Sequence, residues 1–355
     1  MTMKKLAVAA ALAMIGGAAA AQSNVTIYGL VDMSASYNNG GDANGGKQFK
    51  VNSGGMNTSR WGLRGSEDLG NGLKAIMQLE GGIVMDTGAA DGDIFGRQAN
   101  VGLQGDFGKV VVGRSYSTTY DFLISYDPMG YAPQYSWATS AGATGSRKDG
   151  MLTTISNLIK YQYDGKSDGI SYKFGASYAA GETVGNNSAG AKYILAGALT
   201  AGPASAVATY EKNNAALAAN GQYDQSTVMH LAGSYDFGVV KGFAGYRNFK
   251  KTLATGASEQ RSDTYWLGAN YAVAPNWTLT GTYYAQNIKN MAAGKDADPS
   301  MLVARAKYAL SKRTDLYVSA AYAKAKNGLA TGVSRDDAGF TNSQTGAAIG
   351  MQHRF

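Results

Sequence analysis

Side chains that could make or break covalent bonds are scarce in this sequence. Its 355 residues contain no Cys and only two His, His230 and His353. Hydrolysis needs a base to activate a nucleophile or water, yet no Ser/His/Asp cluster and no metal-ligand spacing surrounds either histidine. We therefore expect no enzyme, no cofactor and no metal. The charged residues can still supply fixed charge, which attracts ions of the opposite sign.

Two arginines share one face of a short alternating segment, "SRWGLRG" at 59–65. Arg60 and Arg64 fall on one side and Trp61 and Leu63 on the other, which is the two-residue period of a β-strand. If the apolar side faced lipid, an Arg there would cost about 2–4 kcal/mol near the bilayer midplane. The segment therefore predicts a strand with an aqueous side that carries both arginines.

The whole chain shares this alternation. It holds 48 Gly, 23 Tyr and only 5 Pro. Tyr favours pleated, half-buried surfaces, and Gly suits turns and close backbone approaches. After residue 21, no apolar run reaches the roughly 18 residues that a membrane-spanning helix needs. A closed barrel in lipid fits this pattern, because closure pairs every backbone group inside the bilayer.

Turn and loop residues divide the chain into sixteen predicted strands. Short turns such as 68–72 and 105–108 alternate with long polar stretches such as 38–57 and 116–155. This asymmetry is typical of outer-membrane barrels, and an even strand number brings both termini to the short-turn end. The prediction is an all-β fold, a 16-stranded antiparallel transmembrane β-barrel with an aqueous lumen. The predicted strands are 24–37, 58–67, 72–85, 95–104, 108–115, 156–164, 169–180, 189–200, 204–213, 226–236, 238–250, 262–273, 275–290, 300–311, 313–325 and 344–355.

The amino terminus has the organisation of an export signal. Lys4 and Lys5 precede an apolar run, 6–13, which leads into small residues that end at Ala21. A short basic region, an apolar stretch and an Ala-x-Ala site predict a secretory signal peptide at 1–21.

The remainder, 22–355, is predicted to be one barrel domain, because its composition does not shift and no linker divides it. Its last strand alternates up to Phe355, whose ring would lie in the aromatic belt at the membrane boundary. The formal charge of +7 is carried by Lys and Arg that are scattered singly. No nucleic-acid partner is therefore expected.

Four segments, in this order, resemble the Gram-negative general diffusion porins, in particular their β-proteobacterial branch. They are "VTIYGLVD" (25–32), "SRWGLRGSEDLGNGLKAIMQLE" (59–80), "GRQANVGLQGDFGKVVVGRSY" (96–116) and "GMQHRF" (350–355). The resemblance covers the chain after the signal peptide. It implies a homotrimer that is embedded in outer-membrane lipid and whose pores admit small hydrophilic solutes and ions. It also implies that the strand ending in Phe355 is the signal read by the outer-membrane assembly machinery.

The resemblance further implies where the pore is narrowest. In this family the third loop, here 116–155, folds inward and faces basic residues of the wall. Arg60 in "SRWGLRG" and Arg97 in "GRQANVGL" match the constriction arginines of the family. Arg114 in "VGRSY" matches a further basic position, and Arg64 shares the face of Arg60.

Two acids of the third loop complete the expected constriction. Asp121 and Asp127 in "YDFLISYD" match the family's spacing, in which the second acid faces the arginines across the pore. The sequence then departs from the enteric members, because "PMGYAPQYSWATS" (128–140) has no further acid and places Tyr131 near that position. Fewer acids opposite the arginines predict a preference for anions.

Three alternatives remain open at this stage. A channel specific for a small anion or sugar would need an aromatic track in the lumen, whereas most Tyr are near strand ends. An outer-membrane enzyme lacks catalytic residues, and an adhesive or purely structural barrel has no motif of its own. Lys74 and Glu80 share the lumen face of their strand and are expected to form a solvated pair on the wall.

Overall fold

The structure, a computed structural model, describes residues 24–141, 149–335 and 339–355. The predicted signal peptide, 1–21, lies outside the described residues. Across the described residues, sixteen antiparallel strands form the barrel wall. They are β1 Asn24–Asn38, β2 Arg60–Gly70, β3 Leu73–Val84, β4 Gln98–Gly105, β5 Gly108–Tyr116, β6 Thr154–Ser167, β7 Ile170–Ala179, β8 Lys192–Ala201, β9 Ala204–Asn214, β10 Gln225–Asp236, β11 Val240–Thr252, β12 Ser258–Ala274, β13 Trp277–Lys289, β14 Ser300–Ala309, β15 Thr314–Lys324 and β16 Ser343–Arg354.

The sheet closes on itself, because β1 pairs with β16 in a register that joins Met33 to Met351. The expected 16-stranded antiparallel barrel is thus confirmed. Two short strands that the alternation did not predict, Gln48–Ser53 and Ala89–Asp91, extend the sheet into loops by pairing with β1 and β3. Closure leaves the wall without a free edge, as a sheet in lipid requires.

Alternation separates the two faces of the wall. On the outer face Ile27, Leu267 and Ile349 are between 61% and 67% exposed, whereas Asp32 on the inner face is fully buried. Apolar side chains outside and polar ones inside are the pattern of a barrel that faces lipid and encloses water. The described part of the chain contains no helix long and apolar enough to cross a membrane.

Turns and loops lie at opposite ends of the barrel. At the short-turn end, β2 joins β3 through Asn71 and Gly72, and β6 joins β7 through Asp168 and Gly169. All four residues have positive φ, between 50° and 79°. Two consecutive residues of positive φ form the hairpin turn that matches strand twist, which explains the Asn-Gly and Asp-Gly pairs. The longer connections, the third among them, lie at the other end.

In its described parts, 117–141 and 149–153, the third loop folds into the lumen and fills part of it. It begins with helix α1, Thr118–Leu123, and continues into a 3₁₀ helix, Ile124–Tyr126. Its apolar side chains form the main buried cluster of the barrel together with inward residues of β8–β10 and β12–β16. The loop therefore covers that side of the wall, and the open lumen faces the strands that come first in the chain.

The carboxyl terminus completes the seam of the barrel. The backbone N–H of Phe355 donates to the Gly29 carbonyl at 3.1 Å, and the Gly29 N–H donates back to Phe355 at 3.1 Å. A Cβ at Gly29 would clash with the Phe355 ring and lie 2.8 Å from the Arg60 carbonyl oxygen. Position 29 therefore needs glycine, because the terminal ring lies directly against the backbone there.

Candidate pore constriction

The third loop is closed at its base by one serine. The Ser117 hydroxyl caps helix α1 by accepting from the Tyr120 N–H at 3.0 Å, and it donates to the Leu152 carbonyl at 2.6 Å. A serine at this position satisfies a free N–H at the start of the helix. The same side chain therefore starts the helix and joins the two ends of the loop.

Asp127 lies inside the loop, where 4% of it is exposed. Its carboxylate accepts from the Tyr131 N–H at 2.7 Å, the Ser136 hydroxyl at 2.7 Å and the Met129 N–H at 3.2 Å. The hydroxyl of Tyr284 on β13 donates to it at 2.6 Å. Such charge-assisted hydrogen bonds fix the fold of a loop. The charge of Asp127 is thus directed into the loop and toward β13.

The other two acids of the loop also have partners. Asp121 accepts from the ammonium of Lys160 on β6 at 2.9 Å. Asp149 forms an ion pair with Arg247 of β11 at 3.1 Å, and both side chains are at most 1% exposed. Burial raises the pKa of the neighbouring Tyr131 phenol well above its ordinary value, so that ring adds no charge. Within the described residues, two of the three loop carboxylates are therefore paired with cations, and the third, that of Asp127, is buried among neutral donors.

Apolar packing holds the loop against the later strands. Trp137 and Leu123 are fully buried, and the Trp137 ring lies 6.5 Å from that of Tyr284. Replacing such an aromatic by Ala typically costs about 3–5 kcal/mol. The loop is therefore a fixed wall of the pore, and the passage runs between it and strands β2–β5.

Arg97 extends toward this passage but its charge is compensated. Its Nε donates to Glu80 at 2.8 Å, and its guanidinium lies over the Tyr116 ring at 5.5 Å. Tyr28 donates a further hydrogen bond to Glu80 at 2.8 Å. Glu80 is 2% exposed, and its pairing with Arg97 corrects the expectation of a solvated pair with Lys74. Lys74 lies six residues away along β3, roughly 20 Å at 3.3–3.4 Å per residue.

Arg114 projects from β5 without an acidic partner among the described residues. It donates to the Ser156 hydroxyl at 2.6 Å, to the Thr154 hydroxyl at 3.1 Å and to the Gly96 carbonyl. These neutral acceptors hold the guanidinium in place without cancelling its charge.

Arg60 and Arg64 both lie on the inner face of β2, as their spacing predicted. Arg60 donates to the Thr58 carbonyl at 2.9 Å, and Arg64 lies over the Tyr28 ring at 5.5 Å. Neither has a carboxylate partner among the residues that the structure describes.

The strand register shows which of these residues come together. Arg60 lies opposite Gly82, and Arg114 lies opposite Ala99, one residue beyond the partner of Glu80. Arg60 and Arg97 therefore lie at the loop end of the barrel, within about 10 Å along the strand axis. The partner of Arg114, Ala99, alternates with the lumen-lining Gln98 and Asn100, so the register does not place Arg114 beside the other two arginines. Arg64 is four residues further toward the short-turn end.

Two further arginines anchor the loop, one buried and one half-buried, and no sequence motif marks either. Arg247 donates to the Trp137 and Ala138 carbonyls at 3.0 and 2.7 Å. Arg305 donates to the Pro128 and Met129 carbonyls, each at 3.3 Å. Strand parity could have placed both on the inner face, but their partners are more than 100 residues away in sequence.

No group of three His, Cys, Asp or Glu side chains suited to a metal occurs in the described part of the chain. What the arrangement supplies is a water-lined passage with a fixed loop on one side and arginines on the other. This fold and site define a pore-forming barrel.

The comparisons identify the family. The sequence model of the Gram-negative porin family matches residues 7–328 of this chain. Outer membrane porin protein 32 of Delftia acidovorans is 34% identical over 99% of this chain and 100% of its own length. An outer membrane porin protein of Bordetella pertussis is 31% identical over the same shares. The chain therefore belongs to the Gram-negative porins, as the four motifs predicted.

Solved structures agree with the barrel fold. An anion-selective porin from Comamonas acidovorans has a TM-score of 0.78 and 31% identity over 94% of this chain and all of its own. OmpT of Vibrio cholerae, at 17% identity and a TM-score of 0.67 over 94% of this chain and 98% of its own, shares the fold. The protein is thus an outer-membrane channel for diffusion of small hydrophilic solutes, and the expected location and class of function are confirmed.

Proposed function

We propose that this porin is a general diffusion channel with a preference for anions. The observation that carries the proposal is an imbalance of charge at the constriction. Arg60 and, four residues along β2, Arg64 have no carboxylate partner among the described residues. Of the loop acids, Asp121 and Asp149 are paired with cations, and Asp127 is directed into the loop. A narrow passage with surplus positive charge favours anions over cations. A relative named as an anion-selective porin supports the same reading.

The experiment is a reversal-potential measurement on single channels in a KCl gradient. We expect the wild type to favour chloride. Arg60→Ala should shift the ratio toward potassium. Lys307→Ala is the matched control, because Lys307 lies toward the short-turn end of β14, 3.7 Å from Asp315, and should change the ratio little. Clear potassium selectivity in the wild type would overturn the proposal.

A channel specific for one small anion or sugar is the second candidate. The observation that favours it is a short aromatic stack beside Arg97, in which Tyr116 lies 4.7 Å from Tyr120 and Tyr120 lies 4.9 Å from Tyr131. Since Tyr131 is buried, only two of these rings are available to a solute. Saturable block of the ion current by one solute would favour this candidate, and its absence would favour general diffusion.

The proposal also covers the oligomeric state and the absence of enzymatic activity. We infer a homotrimer in outer-membrane lipid, with the strand ending in Phe355 recognised by the assembly machinery. Crosslinking of outer-membrane material should then give a trimer, whereas a monomer would contradict this. Lipase and protease assays on the folded protein should show no activity above that of the buffer.

A further inference from the structure

A basic cavity lies in the lumen on the short-turn side of the constriction. Its volume is about 650 Å³, and it does not include Arg60, Arg97 or Arg114. Five basic side chains line it against one carboxylate, that of Asp121. The basic residues are Arg64, Lys74, Lys109, Lys160 and Lys173.

The strand register sets the spacing of these groups. Gln104 on β4 lies directly opposite both Lys74 on β3 and Lys109 on β5. The two lysines are therefore two strand spacings apart, about 10 Å. Lys109 in turn lies opposite Gln162, which places Lys160 as its diagonal neighbour at about 7–8 Å. The side-chain amide of Gln104 thus lies between the ammonium groups of Lys74 and Lys109, and that of Gln162 lies beside Lys109.

Three of the basic groups are free to bind a ligand. Among the described residues, the side chains of Arg64, Lys74 and Lys109 make no hydrogen bond or ion pair. Lys160 and Lys173, by contrast, are paired with acids, Lys160 with Asp121 at 2.9 Å and Lys173 with Asp164 at 3.8 Å.

The acids near the cavity do not compensate the free groups. Asp68 lies opposite Lys74, but its Oδ1 accepts from the Gly70 N–H at 2.8 Å and the two side chains are not within ion-pair distance. Asp106 lines a separate, smaller cavity at the barrel rim together with Lys109. The surplus charge inside the cavity is therefore positive.

We propose that this cavity is a second anion-binding site, for a compact polyvalent oxyanion of the phosphate class. Ammonium and guanidinium groups donate charge-assisted hydrogen bonds to phosphate oxygens, and side-chain amides can donate to the remaining ones. A polyvalent anion is favoured over chloride because one such ion contacts several like charges that otherwise repel one another. The site rests on the proposed function only in requiring a lumen that is open to anions.

The test is pyrophosphate block of single-channel current at low KCl concentration. We expect wild-type channels to show transient closures whose frequency rises with pyrophosphate concentration. The double variant Lys74→Gln/Lys109→Gln loses two charge contacts with the anion, so its half-blocking concentration should rise about tenfold. Each single variant should fall between the wild type and the double variant.

Lys307→Gln is the matched control, since Lys307 also lies near the short-turn end, on β14, but outside the cavity. It should retain the wild-type half-blocking concentration. Circular dichroism and a heat-stable oligomer would establish that each variant is folded. The proposal is overturned if about 10 mM pyrophosphate leaves the wild-type current unchanged, or if Lys307→Gln loses block as fully as the double variant. Potassium selectivity in KCl with intact pyrophosphate block would reject the anion-preferring constriction alone.

Discussion

Glu80→Gln is the substitution that best tests how charge is arranged at the constriction. Glu80 is 2% exposed and accepts from Arg97 Nε at 2.8 Å and from the Tyr28 hydroxyl at 2.8 Å. Glutamine has nearly the same shape and keeps one oxygen acceptor for Arg97, while its NH₂ group can donate to the Tyr28 hydroxyl, but it carries no charge. The substitution therefore exposes the charge of Arg97 to passing ions while leaving the guanidinium close to its present position.

The size of the effect follows from Coulomb's law. An ion that passes about 6 Å from Arg97 at an effective dielectric of about 60 interacts with it by roughly 0.9 kcal/mol. Screening at 0.1 M salt over a Debye length of about 10 Å lowers this to roughly 0.5 kcal/mol. This changes the partition of each ion about twofold, in opposite directions for chloride and potassium. The chloride to potassium permeability ratio should therefore rise roughly fivefold.

The assay is the reversal potential of single channels in a KCl gradient. Arg97→Gln alone should move the ratio toward potassium, because it leaves the Glu80 carboxylate without its partner. The charge-balanced variant Glu80→Gln/Arg97→Gln should return to the wild-type ratio. A Glu80→Gln channel that keeps the wild-type ratio, or becomes more permeable to potassium, would refute the assignment of Glu80 as the neutralising partner of Arg97.

Three further predictions concern the loop and the two ends of the chain. Asp127→Ala removes four hydrogen bonds to a charged acceptor, each worth about 1.5–3 kcal/mol. The third loop should therefore loosen, conductance should rise and protease should cut the loop faster. Asp68→Ala, at a turn, is the control and should change neither conductance nor proteolysis. Deletion of Phe355 should reduce insertion in cells far more than stability, since the lost burial is worth about 1.5–3 kcal/mol; normal oligomer yield would contradict a targeting role. Mass spectrometry of outer-membrane material should find Gln22 as the first residue, and retention of 1–21 would contradict the export signal.

The strands could be predicted from sequence because one face of the wall contacts lipid and the other contacts water, which requires apolar and polar residues to alternate. Lipid outside and water inside fix the face of every residue, so Arg60 and Arg64 could be assigned to the lumen from their spacing. Asn71 and Gly72 marked a hairpin for a local reason, their positive φ. The short strands Gln48–Ser53 and Ala89–Asp91 lie in loops that leave the membrane, where no such alternation is imposed. They were missed for that reason.

The partners within the constriction could not be predicted in the same way. Arg97 and Glu80 are joined across a loop and a strand register, and register depends on the whole sheet rather than on either residue. Asp127 matched a family motif by spacing, yet its four donors come from the loop itself and from Tyr284. Contacts between residues so far apart in sequence cannot be inferred from the local alternation of apolar and polar residues.

The distant anchors of the third loop also determine when the pore becomes narrow during folding. Asp127 and Tyr284 are 157 residues apart, and Met129 and Arg305 are 176 apart. Contacts across such separations form late, because the intervening chain must first lose its conformational freedom. The loop is synthesised before most of the wall that holds it. A chain without its last four strands would thus lack the Tyr284 and Arg305 anchors of the loop, and the full set of contacts that fixes the passage forms only when the sheet closes.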